Sequence, residues 1–76
     1  MPTELQIAWG RRLRDVRTGR DMSGSELAQR VGVTRQHIQR IETGKSAASD
    51  TVWVRIADAL GVKVDDIFSH QQRQAS

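Results

Sequence analysis

The stretch that decides the fold is Gly24–Thr43, which reads GSELAQRVGVTRQHIQRIET. Ser23, just before it, and Glu26 have the spacing of a capping box and predict the start of a short helix. Gly32 is expected to end this helix, and Thr34 is a good N-cap for a second one. Two short helices joined at a glycine must cross at a steep angle. The pattern therefore predicts a helix-turn-helix.

Small and apolar residues occupy the positions that such a crossing needs. Ala28 is the small residue over which the second helix passes, and Val33 fills the space beneath the turn. Four larger apolar side chains are expected to seal the pair onto the rest of the chain: Leu27, Val31, Ile38 and Ile41.

Helices are also predicted on both sides of this pair. The first follows the capping box of Thr3 and Gln6, and either Gly19 or Asp21 could end it. Its expected buried stripe is Leu5, Trp9, Leu13 and Val16, with Ile7 on the exposed side. Ser49 caps a fourth helix, which ends at Gly61. Its stripe is Trp53, Ile56, Ala57 and Leu60.

A short fifth helix is predicted to open at Asp65 and Asp66, because acidic residues are favourable at a helix N-terminus. No segment has strand alternation, so the fold class is all-α: a compact bundle of five helices in which helices 2 and 3 form the helix-turn-helix. The expected domain is 1–70, and 71–76 are expected to be a flexible C-terminal tail.

Composition limits what the chain can be. With 76 residues and no cysteine it has room for one small core without a disulfide or a zinc-thiolate site, so tight helix packing or dimerisation is expected. The chain shows no membrane-spanning run and no secretion signal, and a cytoplasmic location is the default expectation.

Charge is unevenly distributed along the chain. Residues 11–45 hold nine Lys or Arg against four acidic residues, whereas residues 46–70 hold two against four. Either this is an ordinary arginine-rich surface, or the basic half meets a polyanion while the acidic half faces water or a protein partner.

The chain from about Leu5 to Phe68 resembles the lambda-repressor-like family of Cro and repressor type, also called xenobiotic-response-element-like regulators. The motifs that carry the resemblance are LRDVR at 13–17, SELA at 25–28, GVT at 32–34, IQRIETGK at 38–45 and IADALGV at 56–62. The resemblance implies a five-helix DNA-binding domain.

The third helix carries side chains suited to reading bases. On the face opposite Ile38 and Ile41, or at its N-terminal flank, lie Arg35, Gln36, Gln39, Arg40 and Thr43. Arg can span guanine O6 and N7, Gln can span adenine N6 and N7, and a Thr methyl can touch thymine. The resemblance gives Arg35, Gln36 and Arg40 the main base contacts, with Gln39 and Thr43 secondary.

Phosphate contacts are predicted around this helix. The candidates are Ser23, Gly24 and Ser25 at the start of the second helix, with Arg11, Arg14 and Lys45 from the basic half. By resemblance, Thr34 would also hold a phosphate. Similar chains usually have Gln in place of Gly24; here that contact is lost, and close approach of the backbone to a phosphate is expected instead. Resemblance also implies a partly buried ion pair between Arg17 and Glu42.

No enzyme, metal or cofactor is expected. His37 and His70 are the only imidazoles, they are far apart, and no carboxylate near them has ligand spacing. No catalytic grouping or glycine-rich phosphate loop has supporting context, and no small-molecule ligand is evident. Trp9 and Trp53 are expected in the core rather than as stacking platforms.

The sequence thus predicts a small transcriptional regulator, acting as a repressor, that binds an inverted repeat in double-stranded DNA as a homodimer. The predicted dimer contacts are Val54, Val62, Val64, Ile67 and Phe68, although Ile67 and Phe68 could instead close the core. The alternative is an antitoxin-type module that masks a partner protein and autoregulates through DNA.

Overall fold

A computed structural model describes residues 3–68 and contains four complete helices in that range. They are α1 (Glu4–Gly19), α2 (Gly24–Val31), α3 (Arg35–Glu42) and α4 (Asp50–Leu60). A fifth helix, α5, is described over 64–68. This part of the chain has no strand, so the all-α fold and the α2–α3 helix-turn-helix are confirmed. The predicted tail 71–76 and His70 lie outside the described residues.

Each of the four complete helices begins at the predicted cap. The side chains of Thr3, Ser23, Thr34 and Ser49 each accept a hydrogen bond from the backbone N–H three positions ahead. At Thr3 the box is reciprocal, since the Gln6 side chain accepts the Thr3 N–H at 2.9 Å. These bonds satisfy N–H groups that the helix itself leaves unpaired, which is why local sequence could place the helix starts.

The structure shows how α1 ends, for which the sequence offered Gly19 or Asp21. The helix stops at Gly19, and the left-handed residue that follows is Asp21, with φ of +54°. The left-handed turn redirects the chain, and Met22 enters the core at 9% exposure. Leu5, predicted in the buried stripe, is 38% exposed. That prediction was wrong: the stripe is fully buried at Leu13, partly buried at Trp9 and Val16, and exposed at Leu5.

The core lies where α3 packs against α1 and α2 and where α4 packs against α2. Its fully buried large side chains are Leu13, Leu27, Ile38, Ile41, Ile56, Leu60 and Ile67. Ala28, the small residue expected at the crossing of α2 and α3, is 3% exposed. No helix within 3–68 is long and apolar enough to cross a bilayer.

The short α5 corrects two predictions. It begins one residue earlier than expected, at Val64, because the Asp66 carboxylate accepts the Lys63 N–H at 3.0 Å. Ile67 is fully buried in its own domain, so its assignment to a dimer interface was wrong. Phe68 is half-buried, with its ring centroid 4.4 Å from that of Trp9 and 5.5 Å from that of Trp53. These aromatic contacts pack Phe68 against the core and leave part of its ring exposed.

Candidate nucleic-acid interface

The outer face of α3 is polar and exposed. Ile38 and Ile41 are each 1% exposed and hold the helix against the core. All five of the predicted base-reading residues are exposed: Arg35, Gln36, Gln39, Arg40 and Thr43. The eight-residue helix therefore presents one apolar stripe inward and one continuous row of hydrogen-bonding groups outward.

Thr43 differs from the other four in having its hydroxyl already engaged. That hydroxyl donates to the Gln39 carbonyl at 3.0 Å, and it lies 3.3 Å from the Arg40 carbonyl. A threonine hydroxyl has one proton to donate, so this hydrogen bond leaves the methyl group and the oxygen lone pairs for an outside partner. The predicted apolar contact of Thr43 with a thymine methyl fits this arrangement better than donation to a base.

The capping hydroxyls retain a proton for a ligand. Thr34 Oγ1 accepts the His37 N–H at 3.0 Å, and Ser23 Oγ accepts the Glu26 N–H, also at 3.0 Å. In each case the hydroxyl acts as the acceptor, so its own O–H is free to donate to an anion. Both residues are exposed, as are Ser25 and Lys45, while Gly24 is half-buried.

An open cleft of about 250 Å³ joins three segments beside α3. It is lined by Arg14 and Arg17 of α1, Gly24 at the start of α2, and Arg35, Ile38, Gln39, Glu42 and Thr43 from α3 or the residue after it. Arg14 and Arg35 make no ion pair within residues 3–68, while the Arg17 charge is matched by Glu42. The cleft is therefore net positive and suited to an anion.

Other predicted residues lie apart from this cleft. Arg11 does not line this cleft; it lies one helical turn from Arg14 on α1 and lines a separate surface groove with Glu4, Arg12 and Asp15. Lys45 follows the end of α3, where its N–H donates to the Arg40 carbonyl at 2.8 Å. Within 3–68 no cluster of His, Asp or Glu could hold a metal ion.

Arg17 and Glu42 form an ion pair with only 14% and 8% of their side chains exposed. The Arg17 Nη1 also donates to the Met22 carbonyl at 2.8 Å, which ties the turn after α1 into the same arrangement. Hydrogen bonding to Glu42 raises the pKa of Arg17, against the lowering effect of burial. The guanidinium thus stays charged and fixes the last residue of α3 to α1.

Two buried residues that help to position α3 were not predicted from the sequence. Met22 lies between α1 and α2, after the left-handed turn at Asp21. Because it belongs to no helix, helical periodicity could not predict its burial. Gly10 is buried in the middle of α1, beneath α3. A lone glycine inside a helical pattern is the available signal, since it destabilises the helix and needs a packing reason.

Comparison with known proteins agrees with this geometry. Residues 13–67 match a family model described as "Helix-turn-helix". An uncharacterised transcriptional regulator in the ATPase CF(0) region of Rhodospirillum rubrum is 39% identical over 64 residues, which are 84% of this chain and 59% of that protein. The chain thus spans less than two thirds of that relative.

Solved structures share the fold. The restriction-modification controller protein C.AhdI from Aeromonas hydrophila has a TM-score of 0.81 and 28% identity, over 83% of this chain and 96% of that one. SinR, a master regulator for biofilm formation solved in complex with DNA, has a TM-score of 0.74 and 26% identity, over 79% and 97% of the two chains.

Proposed function

Since this chain belongs to the Cro/C1-type helix-turn-helix family, we propose that it regulates transcription by binding a specific site in duplex DNA. The third helix enters the major groove, two copies bind an inverted repeat, and occupation of the site represses the neighbouring promoter. Relatives with the same fold are named as transcriptional regulators, and one of the similar structures contains DNA.

The observation that carries the proposal is the division of α3 into a buried and an exposed face. Its two isoleucines are held in the core, so the helix cannot rotate to hide Gln36 or Arg40. An exposed helix face with no ligand more often carries Glu and Lys, whereas this one has arginine and glutamine, the side chains that pair bidentately with guanine and adenine. A helix of this diameter fits the major groove.

The positive cleft beside α3 supports phosphate binding along one edge of the DNA major groove. Arg14 and Arg35 reach it from two different helices, and the Ser23 and Thr34 hydroxyls near the helix starts have protons to donate. Contacts from several elements to successive phosphates fix the register of a protein on DNA without reading sequence. We therefore assign the cleft to the DNA backbone and the outer face of α3 to the bases.

A dimer follows from the small number of bases that one two-turn helix can reach. Two copies related by a two-fold axis would read half-sites about one helical turn, roughly 34 Å, apart. With Ile67 occupied in the core, the apolar side chains left for the contact are Val54, 53% exposed, and the half-buried Val62, Val64 and Phe68. So small an apolar surface supports a weak contact that DNA strengthens.

Selection of bound sequences from a pool of random duplexes tests the proposal. We expect an inverted repeat to be enriched, with half-sites whose centres are about 10 base pairs apart. Affinity for the enriched duplex is then compared with that for a scrambled duplex of equal length, at one stated salt concentration. Enrichment of no sequence, with equal affinity for both duplexes, would contradict specific binding. Enrichment of a single half-site would contradict the dimer but leave specific DNA binding in place.

A further inference from the structure

Gly10 brings the backbones of α1 and α3 into direct contact. A Cβ atom added to this residue would lie 2.7 Å from the Glu42 carbonyl oxygen and 2.9 Å from its carbonyl carbon, and closer still to the Ile41 carbonyl oxygen. These atoms belong to the backbone of the helix end, so they cannot move aside as a flexible side chain would. Any side chain at position 10 would push the end of α3 away from α1.

Gly44 makes the reciprocal contact from the other side. It is buried just after α3, with φ of +78°, and its N–H donates to the Ile41 carbonyl at 3.1 Å. A Cβ atom there would lie 2.7 Å from Ile7 Cγ1 and 3.1 Å from Ile7 Cα. The chain leaving α3 therefore passes directly over α1, one turn before Gly10.

We infer that Gly10, Gly44 and Ile7 form a seat that sets the angle of α3 to α1 and so positions the base-reading side chains. We call these three residues the glycine seat. The inference rests on the proposed function, because it concerns how accurately α3 is presented to DNA. The three residues lie outside the proposed DNA-contacting set and act only through α3.

The length of α3 makes its orientation sensitive to this seat. Eight residues span about 12 Å, so a displacement at one end tilts the whole helix. The N-terminal end is held by the tight turn to α2, where Gly32 and Val33 donate to the Ala28 carbonyl at 2.8 and 3.0 Å. A loosened seat should therefore displace Arg40 and Thr43 more than Arg35 and Gln36.

Ile7 and Leu5 provide a matched pair for the test. Both are on α1, both are 38% exposed, and both are shortened by substitution with alanine. The three atoms nearest to a Cβ built at Gly44 all belong to Ile7, and none belongs to Leu5. We expect Ile7→Ala to lower the ratio of specific to non-specific DNA affinity by about threefold to tenfold, a part of what one lost bidentate contact costs. Leu5→Ala should leave the ratio unchanged.

The ratio is informative because a purely structural loss would not alter it. A variant that is merely less stable, measured well below its unfolding temperature, loses the same fraction of binding on specific and random duplexes. If Ile7→Ala and Leu5→Ala have the same ratio of specific to non-specific affinity, the inferred role of the glycine seat is wrong. A wild-type chain that prefers no site would contradict the proposed function itself, and the inference would fall with it.

Gly10→Ala probes the contact directly, with Gly19→Ala on the same helix as its control, because a Cβ at Gly19 meets nothing within 4 Å. We expect Gly10→Ala to lose specific affinity and Gly19→Ala to keep it. If Gly10→Ala fails to fold, the Ile7 and Leu5 comparison decides. If Gly10→Ala folds, its loss of base preference is measured at each position of the half-site. A loss concentrated at the bases assigned to Arg40 and Thr43 supports the tilt, whereas an equal loss at every position contradicts it.

Discussion

Arg17 on α1 binds Glu42 on α3 through two hydrogen bonds, from Nε to Oε2 at 2.6 Å and from Nη2 to Oε1 at 3.1 Å. The remaining guanidinium contact goes to the Met22 carbonyl, so one side chain links α1, the following turn and the end of α3. Both side chains are largely buried, and without Arg17 the Glu42 carboxylate would lose both of these hydrogen bonds.

Removal of one partner of this pair should destabilise the fold. We expect Arg17→Met to lower the free energy of unfolding by about 3 kcal/mol, because the Glu42 carboxylate and the Met22 carbonyl lose their donors. Arg30→Met is the control, since the Arg30–Glu26 pair is 54% and 46% exposed and should contribute about 0.5 kcal/mol or less. Urea denaturation measures both. Equal losses for the two variants would mean that Arg17 acts as an ordinary surface charge.

Base readout should depend on Gln36 and Arg40. Each replaced by alanine is expected to cost about 1–3 kcal/mol of binding to the selected site, with little change in the free energy of unfolding, because both side chains point into solvent. Fluorescence anisotropy with specific and scrambled duplexes measures the loss. Gln29→Ala and Arg55→Ala are exposed controls of matched chemistry. A loss of equal size on both duplexes would indicate that the residue contacts phosphate only.

Salt dependence should report the phosphate contacts. Each neutralised phosphate contributes about 0.9 to the slope of log affinity against log salt, so Arg14→Ala should make the slope shallower by about one. Arg11→Ala should change it less, because Arg11 lies in a separate groove beside two acidic residues. Titrations at several salt concentrations measure these slopes. A wild-type slope near zero would exclude DNA backbone binding, and an unchanged slope in Arg14→Ala would remove this residue from the contact.

Position 24 should accept the glutamine that similar chains carry. A Cβ at Gly24 meets nothing within 4 Å, and the residue is helical, so Gly24→Gln should raise the free energy of unfolding by about 0.5 kcal/mol. The new amide borders the positive cleft and should strengthen DNA binding several-fold by donating to a phosphate. Gly24→Ala separates the two effects, since it changes the helix without adding a donor. Weaker binding by Gly24→Gln than by Gly24→Ala would show that the side chain blocks the DNA.

Dimer formation on DNA should depend on Val54. The substitution Val54→Asp places a charge at the most exposed of the large apolar side chains in 3–68 and should reduce the complex from two chains per duplex to one. Sedimentation of the protein on the selected duplex measures the stoichiometry. Gln29→Asp adds the same charge at an exposed position of α2 and should leave two chains bound. Two chains per duplex with Val54→Asp would place the contact elsewhere.

Local sequence was sufficient for most of the helix boundaries. Thr34 caps α3 and Gly61 ends α4 because a capping hydrogen bond joins residues three positions apart and a left-handed glycine ends a helix without help from distant segments. Helical period likewise placed Ile38 and Ile41 inward, which puts the candidate base-reading side chains outward. For these features the interacting groups are neighbours along the chain.

Tertiary contacts decided the rest. Ile67 could serve a dimer or a core by its chemistry, and only the packing of α5 buried it in its own domain. Gly10 has no local purpose in a helix, and its role emerged when α3 was found against its backbone. The cleft is a similar case, since Arg14, Gly24 and Arg35 belong to three helices that meet only in space. Helix periodicity gives the direction of each side chain, whereas the partner it meets depends on how the helices cross.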